Sequence, residues 1–265
     1  MKVWLITGTS RGFGLAIARR ALAGGDAVVA TARNPASLET ELAEYGTRLL
    51  PLPLDVTDEA QAGRVVESAV ERFGGIDVLV NNAGRGLFGA VEESSLAEAR
   101  AVFDTNLFGV LSVARAVLPV FRRQKRGQVI AISSMGGFSS GAGFGVYAAS
   151  KFALEALHEA MAEELAPFGI RVTLVEPGVF ATEFATLGSQ RVAEPIADYV
   201  TPTYARDAPG DRKPGDPVWA AEEIFALTRR TDAPLRLPLG EDAVARIRAK
   251  LARVAADADA APAVP

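Results

Sequence analysis

The chain contains no cysteine and a single histidine among its 265 residues. The first absence excludes a disulfide scaffold, thiolate catalysis and cysteine-held metal. The second excludes a histidine metal cluster and disfavours a histidine-centred catalytic triad. There is no basic excess either: 28 Lys and Arg stand against 32 Asp and Glu, a formal charge of −4. That balance argues against a nucleic-acid partner and against attraction to an anionic membrane. Only four apolar residues, Val3–Ile6, precede the polar Thr7 and Gly8, well short of the roughly 7–15 apolar residues of a secretion signal. The long uncharged stretch 127–150 is broken by Gly and Ser, and only Val129–Ile132 is solidly apolar, so it is not read as a membrane span. A soluble cytoplasmic protein is expected.

What the chain does have is a repeated alternation of short apolar runs and longer helical stretches. Val3–Thr7, Ala27–Thr31, Leu49–Leu54, Asp77–Val80, Gln128–Ile132, Ile170–Val175 and Leu235–Leu239 read as strands. Helices are predicted over Gly12–Ala23, Pro35–Glu44, Asp58–Phe73, Ala97–Arg123, Tyr147–Pro167, Ala220–Arg229 and Glu241–Ala255. This order implies an α/β fold, doubly wound, with a parallel seven-stranded sheet and helices on both faces. The nearly unbroken apolar strands fit burial on both sides. No internal repeat or linker divides the chain, so residues 1–255 form one domain. The pattern breaks at 178–217, which is rich in Pro and Gly and carries Phe180, Phe184, Tyr199 and Tyr204. A loop of that length inside a domain is usually functional, and 183–217 is read as a lid over the substrate. Residues 256–265 are expected to be a disordered tail.

Three groups of residues carry chemistry. The first predicted strand runs into Thr7-Gly8-Thr9-Ser10-Arg11-Gly12-Phe13-Gly14 and then into a helix. Such glycines let a pyrophosphate approach free helix N–H groups and the positive end of the helix dipole. At the end of the second strand an acid would bind the ribose hydroxyls of NAD. Here Ala32 occupies that position and Arg33 follows it. A guanidinium suits a 2′-phosphate, and Arg11 is placed to reach the same group, so NADP(H) is favoured over NAD(H). Finally, Tyr147 and Lys151 are four residues apart at the start of a predicted helix, on one face. An ammonium beside a phenol makes the phenol more acidic and therefore usable as an acid–base group. Ser133 and Ser134 follow a strand end, where ligands of open α/β sheets bind. Each signal alone is ordinary: tight turns, solvated arginines and surface Tyr–Lys pairs are common.

Together, and in this order, they resemble the short-chain dehydrogenase/reductase superfamily in its single-domain branch. The resemblance is dense over about residues 1–185. Gly8, Gly12 and Gly14 match the family's Thr-Gly-x-x-x-Gly-x-Gly; Leu54-Asp55-Val56 matches its adenine-contact segment; Asn81-Asn82-Ala83-Gly84 matches its Asn-Asn-Ala-Gly signature. Asn106 matches the family's helix asparagine, Tyr147 and Lys151 its Tyr-x-x-x-Lys, and Pro177-Gly178 with Thr182 its nicotinamide-contact segment. Ser134 lies thirteen residues before Tyr147, the family's usual spacing, and is taken in preference to Ser133. The resemblance implies a Rossmann fold and a catalytic tetrad. Tyr147 would exchange a proton with the substrate oxygen, Lys151 would lower the phenol's pKa and hold the nicotinamide ribose, and Ser134 would bond the carbonyl. Asn106 would hold a water leading from Lys151, through a helix distortion seen in the family. The implied cofactor-binding residues are Gly8, Thr9, Ser10, Arg11, Gly12, Phe13, Gly14, Arg33, Asp55, Val56, Asn82, Ala83, Gly84, Tyr147, Lys151, Pro177, Gly178 and Thr182. No metal is implied.

Phe88, Phe138, Phe144 and Phe180 flank these motifs and are candidates for substrate contact. His158 is read as a surface or interface residue, and the run from Arg122 to Arg126 as a helix C-terminus favoured by the dipole. Ser133–Gly137, Tyr147–Glu155 and Val175–Gly178 are similar to members near the hydroxysteroid and retinol dehydrogenases. The function expected is an NADP(H)-dependent oxidoreductase acting on the carbonyl or secondary alcohol of an apolar small molecule, a ketoreductase. The alternatives are a secondary-metabolite tailoring enzyme of the same family, working by imine reduction or redox-neutral rearrangement, and a non-catalytic NADPH sensor. Family habit implies a homodimer or homotetramer.

Overall fold

Seven of the apolar runs become one parallel sheet in a computed structural model of the protein, which describes residues 1–184, 186–199 and 213–262. The chain runs β1 (Val3–Thr7), α1 (Gly12–Ala23), β2 (Ala27–Ala32), α2 (Ala36–Glu41), β3 (Leu49–Pro53), α3 (Glu59–Phe73) and β4 (Val78–Asn81). It continues through β5 (Gly86–Phe88), α4 (Leu96–Phe103), α5 (Gly109–Gln124), β6 (Gly127–Ile132), α6 (Gly145–Leu165) and β7 (Ile170–Pro177). The last elements are β8 (Ser189–Arg191), α7 (Pro217–Leu227), β9 (Arg236–Leu239) and α8 (Glu241–Asp259). The sheet order is β3-β2-β1-β4-β6-β7-β9, all parallel, as expected for the doubly wound fold.

Each face of the sheet is sealed by its own core. Trp4, Ile6, Val28, Ala30 and Val80 point to the side covered by α1 and α7, with Ile17, Leu22, Ile224 and Leu227 packed on them. Leu5, Val29, Leu79 and Val129 point to the side covered by α3, α5 and α6, where Val65, Val117, Phe121 and Met161 meet them. The alternation is the period of two that a strand imposes. Helix starts follow local chemistry: Asp58 accepts from the Gln61 N–H at 3.0 Å to cap α3, and Ser95 with Glu98 forms a reciprocal cap on α4.

Three departures from the sequence reading matter. The helix predicted over 97–123 is not continuous: residues Asp104–Phe108 form a π-helical turn between α4 and α5. The whole run Leu96–Gln124 is long and apolar enough to cross a membrane by length and composition, yet its apolar side packs into the core through Val113, Val117 and Phe121. In the expected lid, β8 pairs in parallel with β5 as a separate two-stranded sheet. The lid positions 185 and 200–212 lie outside the described residues. The tail expected from 256 is helical as far as Asp259, because Ala255, Ala256 and Ala258 favour helix; positions 263–265 lie outside the described residues.

Candidate active site

The sheet's winding reverses between β1 and β4, neighbours in space although 70 residues apart in sequence, and a cavity of about 660 Å³ opens beyond the strand ends there. One half of it is built from backbone. The loop after β1 turns back through Gly8 and Gly12, both at positive φ (68° and 56°). A Cβ on Gly14 would stand 2.3 Å from the Gly8 carbonyl oxygen, so α1 and this loop touch with nothing between them. No side chain caps α1, which leaves its first N–H groups and its positive dipole end to a ligand. That is a fit for a pyrophosphate. The Asn82 amide bolts the loop down, donating to the Thr7 and Gly8 carbonyls at 2.8 and 3.0 Å. Thr9 and Gly14 do not face the cavity: Thr9 is buried, its hydroxyl donating to the Thr31 carbonyl at 3.0 Å.

The remaining nucleotide-side residues, Gly8, Ser10, Arg11, Gly12, Phe13, Arg33, Asp55, Val56, Asn82, Ala83, Gly84, Pro177, Gly178 and Thr182, all line the cavity. Ala32 ends β2 at its wall and Arg33 is exposed beside it. Arg33 has no ion-pair partner among the described residues. Arg11 reaches elsewhere, its Nη2 donating to the Leu187 carbonyl of the lid at 3.0 Å. Asp55 is held in place by its own neighbour, accepting from the Thr57 N–H and hydroxyl at 3.0 and 2.7 Å.

The other half is a cluster of side chains. Tyr147 and Lys151, both buried and both on the first turns of α6, line the cavity. The Lys151 Nζ lies 5.8 Å from the centre of the Tyr147 ring and donates to the Ile132 carbonyl at 2.7 Å. Burial lowers the lysine pKa to about 8, with Glu155 opposing. Ser134 follows β6 and faces the same space, its Oγ accepting from the Gly136 N–H at 2.9 Å. Asn106 sits in the π-helical turn and is fully buried. Its amide is spent on structure: Oδ1 accepts from the Arg85 N–H at 2.9 Å, and Nδ2 donates to the Arg85 carbonyl at 2.9 Å and the Ser150 hydroxyl at 3.0 Å. It does not border the cavity.

Of the four candidate phenylalanines, three border the cavity. Phe144 lies 4.6 Å from the Tyr147 ring centre and Phe88 stacks on Phe144 at 5.7 Å. Phe180 is on the nucleotide side, edge-on to Phe13 at 5.1 Å and stacked on Trp219 at 6.3 Å. Phe138 is a correction: it stands outside the cavity, under the guanidinium of Arg236 at 5.9 Å. A second correction concerns His158, which is wholly buried rather than on the surface; it shares the inward face of α6 with Leu154 and Met161, and its Nδ1 pairs with the Leu154 carbonyl at 2.8 Å. The residue missed is Phe184, 5.6 Å from the Tyr147 ring; its aromatic character inside the lid segment was the available signal. Arg85, Met135, Leu187 and Gln190 also line the cavity.

The segment around β8 is tied down by carboxylates. Buried Glu93 accepts from the N–H groups of Ala90 and Ile196 at 2.5 and 2.8 Å, and Glu98 from that of Ala193 at 2.9 Å. Arg85 donates to the Gln190 amide across the β5–β8 pair.

Comparison with known proteins bears on this arrangement. An oxidoreductase of Botryotinia fuckeliana, BOA17, is 39% identical over 249 residues, 92% of this chain and 90% of the relative. Human retinol dehydrogenase 8 is 39% identical over 252 residues, 88% and 79% of the two chains. A short-chain dehydrogenase from Streptomyces avermitilis superposes with a TM-score of 0.87 at 43% identity, covering 97% and 96% of the chains. A family member from Burkholderia phymatum in complex with NAD gives 0.84 at 25% identity over 100% and 97%. An alcohol dehydrogenase from Thermococcus sibiricus in complex with 5-hydroxy-NADP gives 0.74 at 30% identity over 90% and 95%. Residues 2–192 match the model of the short chain dehydrogenase family, and this protein, an oxidoreductase with a nucleotide groove at the switch point of its sheet, belongs to that family.

Proposed function

We propose that the protein is an NADP(H)-dependent ketoreductase, with Tyr147 as the acid–base group, acting on an apolar carbonyl compound or the corresponding secondary alcohol. The observation that carries the reading is the buried Tyr147–Lys151 pair lining the same cavity as Ser134. A carbonyl oxygen set between Ser134 and Tyr147 accepts both hydroxyl protons as hydrogen bonds. As negative charge builds on that oxygen, Ser134 stabilises it and Tyr147 releases its proton to it. The phenolate left behind is favoured by the Lys151 ammonium in a low-dielectric site. A bound nicotinamide supplies the hydride. The glycine loop and the uncapped start of α1 would hold its pyrophosphate, and Asp55 and Val56 its adenine.

Support for NADP(H) comes from Ala32 in place of an acid and from Arg33, exposed at the cavity with no carboxylate partner among the described residues. Support for an apolar substrate comes from the aromatic wall of Phe88, Phe144 and Phe184 around Tyr147. Exposed Phe108 and Phe152, before α5 and on α6, support self-association.

The test is NADPH consumption against ketones, diketones, steroids, retinoids and cyclic imines. Tyr147→Phe is expected to lower turnover at least about a hundredfold while NADPH still binds. A variant that keeps the wild-type rate overturns the acid–base assignment. Arg33→Ala combined with Arg11→Ala is expected to weaken NADPH about tenfold more than NADH; equal weakening removes the 2′-phosphate reading.

A further inference from the structure

Beside Tyr147 and Lys151 lies a buried charged cluster that proton transfer does not itself use. Glu155 follows Lys151 by one turn of α6 and is 5% exposed. Its Oε1 accepts from the Ser133 hydroxyl, and its Oε2 accepts from the Arg236 Nε of β9 at 3.0 Å. Arg236 also pairs with Glu159 of α6 and stands 3.4 Å from Glu176 of β7. His158, one turn further along α6, faces the same interior.

The register of these contacts is the informative part. Lys151 donates to the carbonyl of Ile132 and Glu155 takes the hydroxyl of Ser133; all three of Ile132, Ser133 and Ser134 border the cavity, and the Ser134 hydroxyl is held by neither side chain. One turn of α6 therefore grips two successive residues at the end of β6, and the third is the hydroxyl that meets the substrate. The Ser133 N–H is fixed as well, donating to the Val175 carbonyl of β7 at 2.8 Å. Gly137 makes the close approach possible: a Cβ there would lie 2.6 Å from the Ser133 Oγ and 3.2 Å from the Lys151 Cβ.

We propose that Glu155 is a positioning residue of the reaction, a buried carboxylate that holds the Ser133–Ser134 strand end against Lys151 and supplies the negative charge that keeps the ammonium charged. The idea rests on the proton-transfer reading of Tyr147 and Lys151 above. Its electrostatic half follows from which groups face Glu155. The cations are Lys151 and Arg236, the carboxyl neighbours are Glu159 and Glu176, and His158 is neutral because burial lowers its pKa to about 4. Burial raises the pKa of both carboxyls, that of Glu155 against the opposing pull of Ser133 and Arg236, and that of Glu176, with Glu155 adding to it, to about 7. Glu155 accepts from two donors, Ser133 and Arg236, and these favour its charged form over that of Glu176. Without that charge Lys151 stays equally buried and loses the carboxylate that opposes its deprotonation, so it gives up its proton at lower pH.

The experiment compares Glu155→Gln and Ser133→Ala with wild type. The amide of Glu155→Gln still accepts from Ser133 but carries no charge. The chain has five lysines, Lys2, Lys125, Lys151, Lys213 and Lys250, so ¹⁵N-lysine NMR resolves the Lys151 Nζ, assigned by its loss in Lys151→Arg. The Lys151 titration midpoint is expected to fall by about half a unit or more in Glu155→Gln, and the alkaline limb of ketone reduction to fall with it. Ser133→Ala is expected to lower kcat about tenfold through Ser134, with KM for NADPH within about twofold of wild type. A Glu155→Gln protein that melts lower but keeps the wild-type Lys151 midpoint overturns the proposal, because that is the mark of a merely structural residue. If that variant does not fold, an unchanged kcat in Ser133→Ala overturns it instead. The Lys151 titration needs no turnover, so it judges Glu155 even if Tyr147→Phe shows the catalytic reading to be wrong.

Discussion

Single side chains decide how firmly this groove is built. Asn82 is the clearest: one amide nitrogen secures two carbonyls of the loop that a pyrophosphate must approach. Asn82→Ala is expected to cost about 1–3 kcal/mol in urea denaturation, the penalty for leaving buried acceptors unmade, and to weaken NADPH in fluorescence titration. Unchanged affinity would mean that the loop holds its shape without the bolt. At this scale the motifs were legible because each is a local spacing: Tyr147 to Lys151, Ser134 to Tyr147, Gly8 to Gly14. What was not legible depends on direction in space. Phe138 and Phe184 are both aromatics close to the motifs in sequence, but the 3₁₀ turn Met135–Gly137 carries Phe138 toward Arg236 and away from Tyr147. Nor does a lone histidine on a helix declare its face. His158 is buried because Leu154 and Met161 beside it face the core, where the sequence reading had a surface or interface residue.

Among the elements, the π-helical turn is the informative one. The apolar pattern from 97 to 123 is continuous, so periodicity alone reads one helix, and only the family resemblance implied a distortion at Asn106. Such turns gather at functional sites because they displace a side chain from its helical position, and here the displacement aims Asn106 at the backbone of Arg85. The turn ends at Gly109, where a Cβ would come within 2.6 Å of Val56 and 3.2 Å of the Asp104 carbonyl. Gly109→Ala is expected to destabilise the fold by about 1–3 kcal/mol. Because Val56 lines the cavity, it is also expected to weaken NADPH. A thermal melt and a nucleotide titration on the same sample check both; a melt shift with intact affinity would separate the turn from the site. The β5–β8 pair was illegible for a different reason. Three-residue strands with no apolar alternation leave no periodic trace, and the backbone pairing joins segments far apart in sequence, Gly86 to Ser189 and Phe88 to Arg191.

For the whole molecule, two buried titratable groups predict how stability responds to pH. His158 has its pKa lowered by burial to about 4 from an ordinary 6.5. The unfolded chain takes up a proton below 6.5 that the native site refuses, so stability held above that pH is lost as pH falls toward 4. Glu176 has its pKa raised, by burial first and Glu155 second, to about 7 from 4.5. Its contribution has the opposite sign, complete below 4.5 and lost as pH rises to 7. Each is bounded at about 3 kcal/mol, and between about pH 4.5 and 6.5 they offset each other. His158→Leu is expected to steepen the gain in urea midpoint as pH falls from 7 to 4.5, and Glu176→Gln to remove the loss above 4.5. A midpoint whose pH slope matches wild type in both variants would contradict their burial as neutral groups. The seven-stranded parallel sheet was legible at this scale because each of its strands leaves an apolar run. Their layering also dictates how the chain must be made. The core under α1 closes only when Ala220, Ile224 and Leu227 of α7 arrive, and Trp4 stacks on Phe225 at 6.1 Å. The first strand synthesised thus waits for almost the last helix. A growing chain stopped at residue 192, where the family match ends, would carry every motif of the site and still lack the helix that packs on α1 and Trp4.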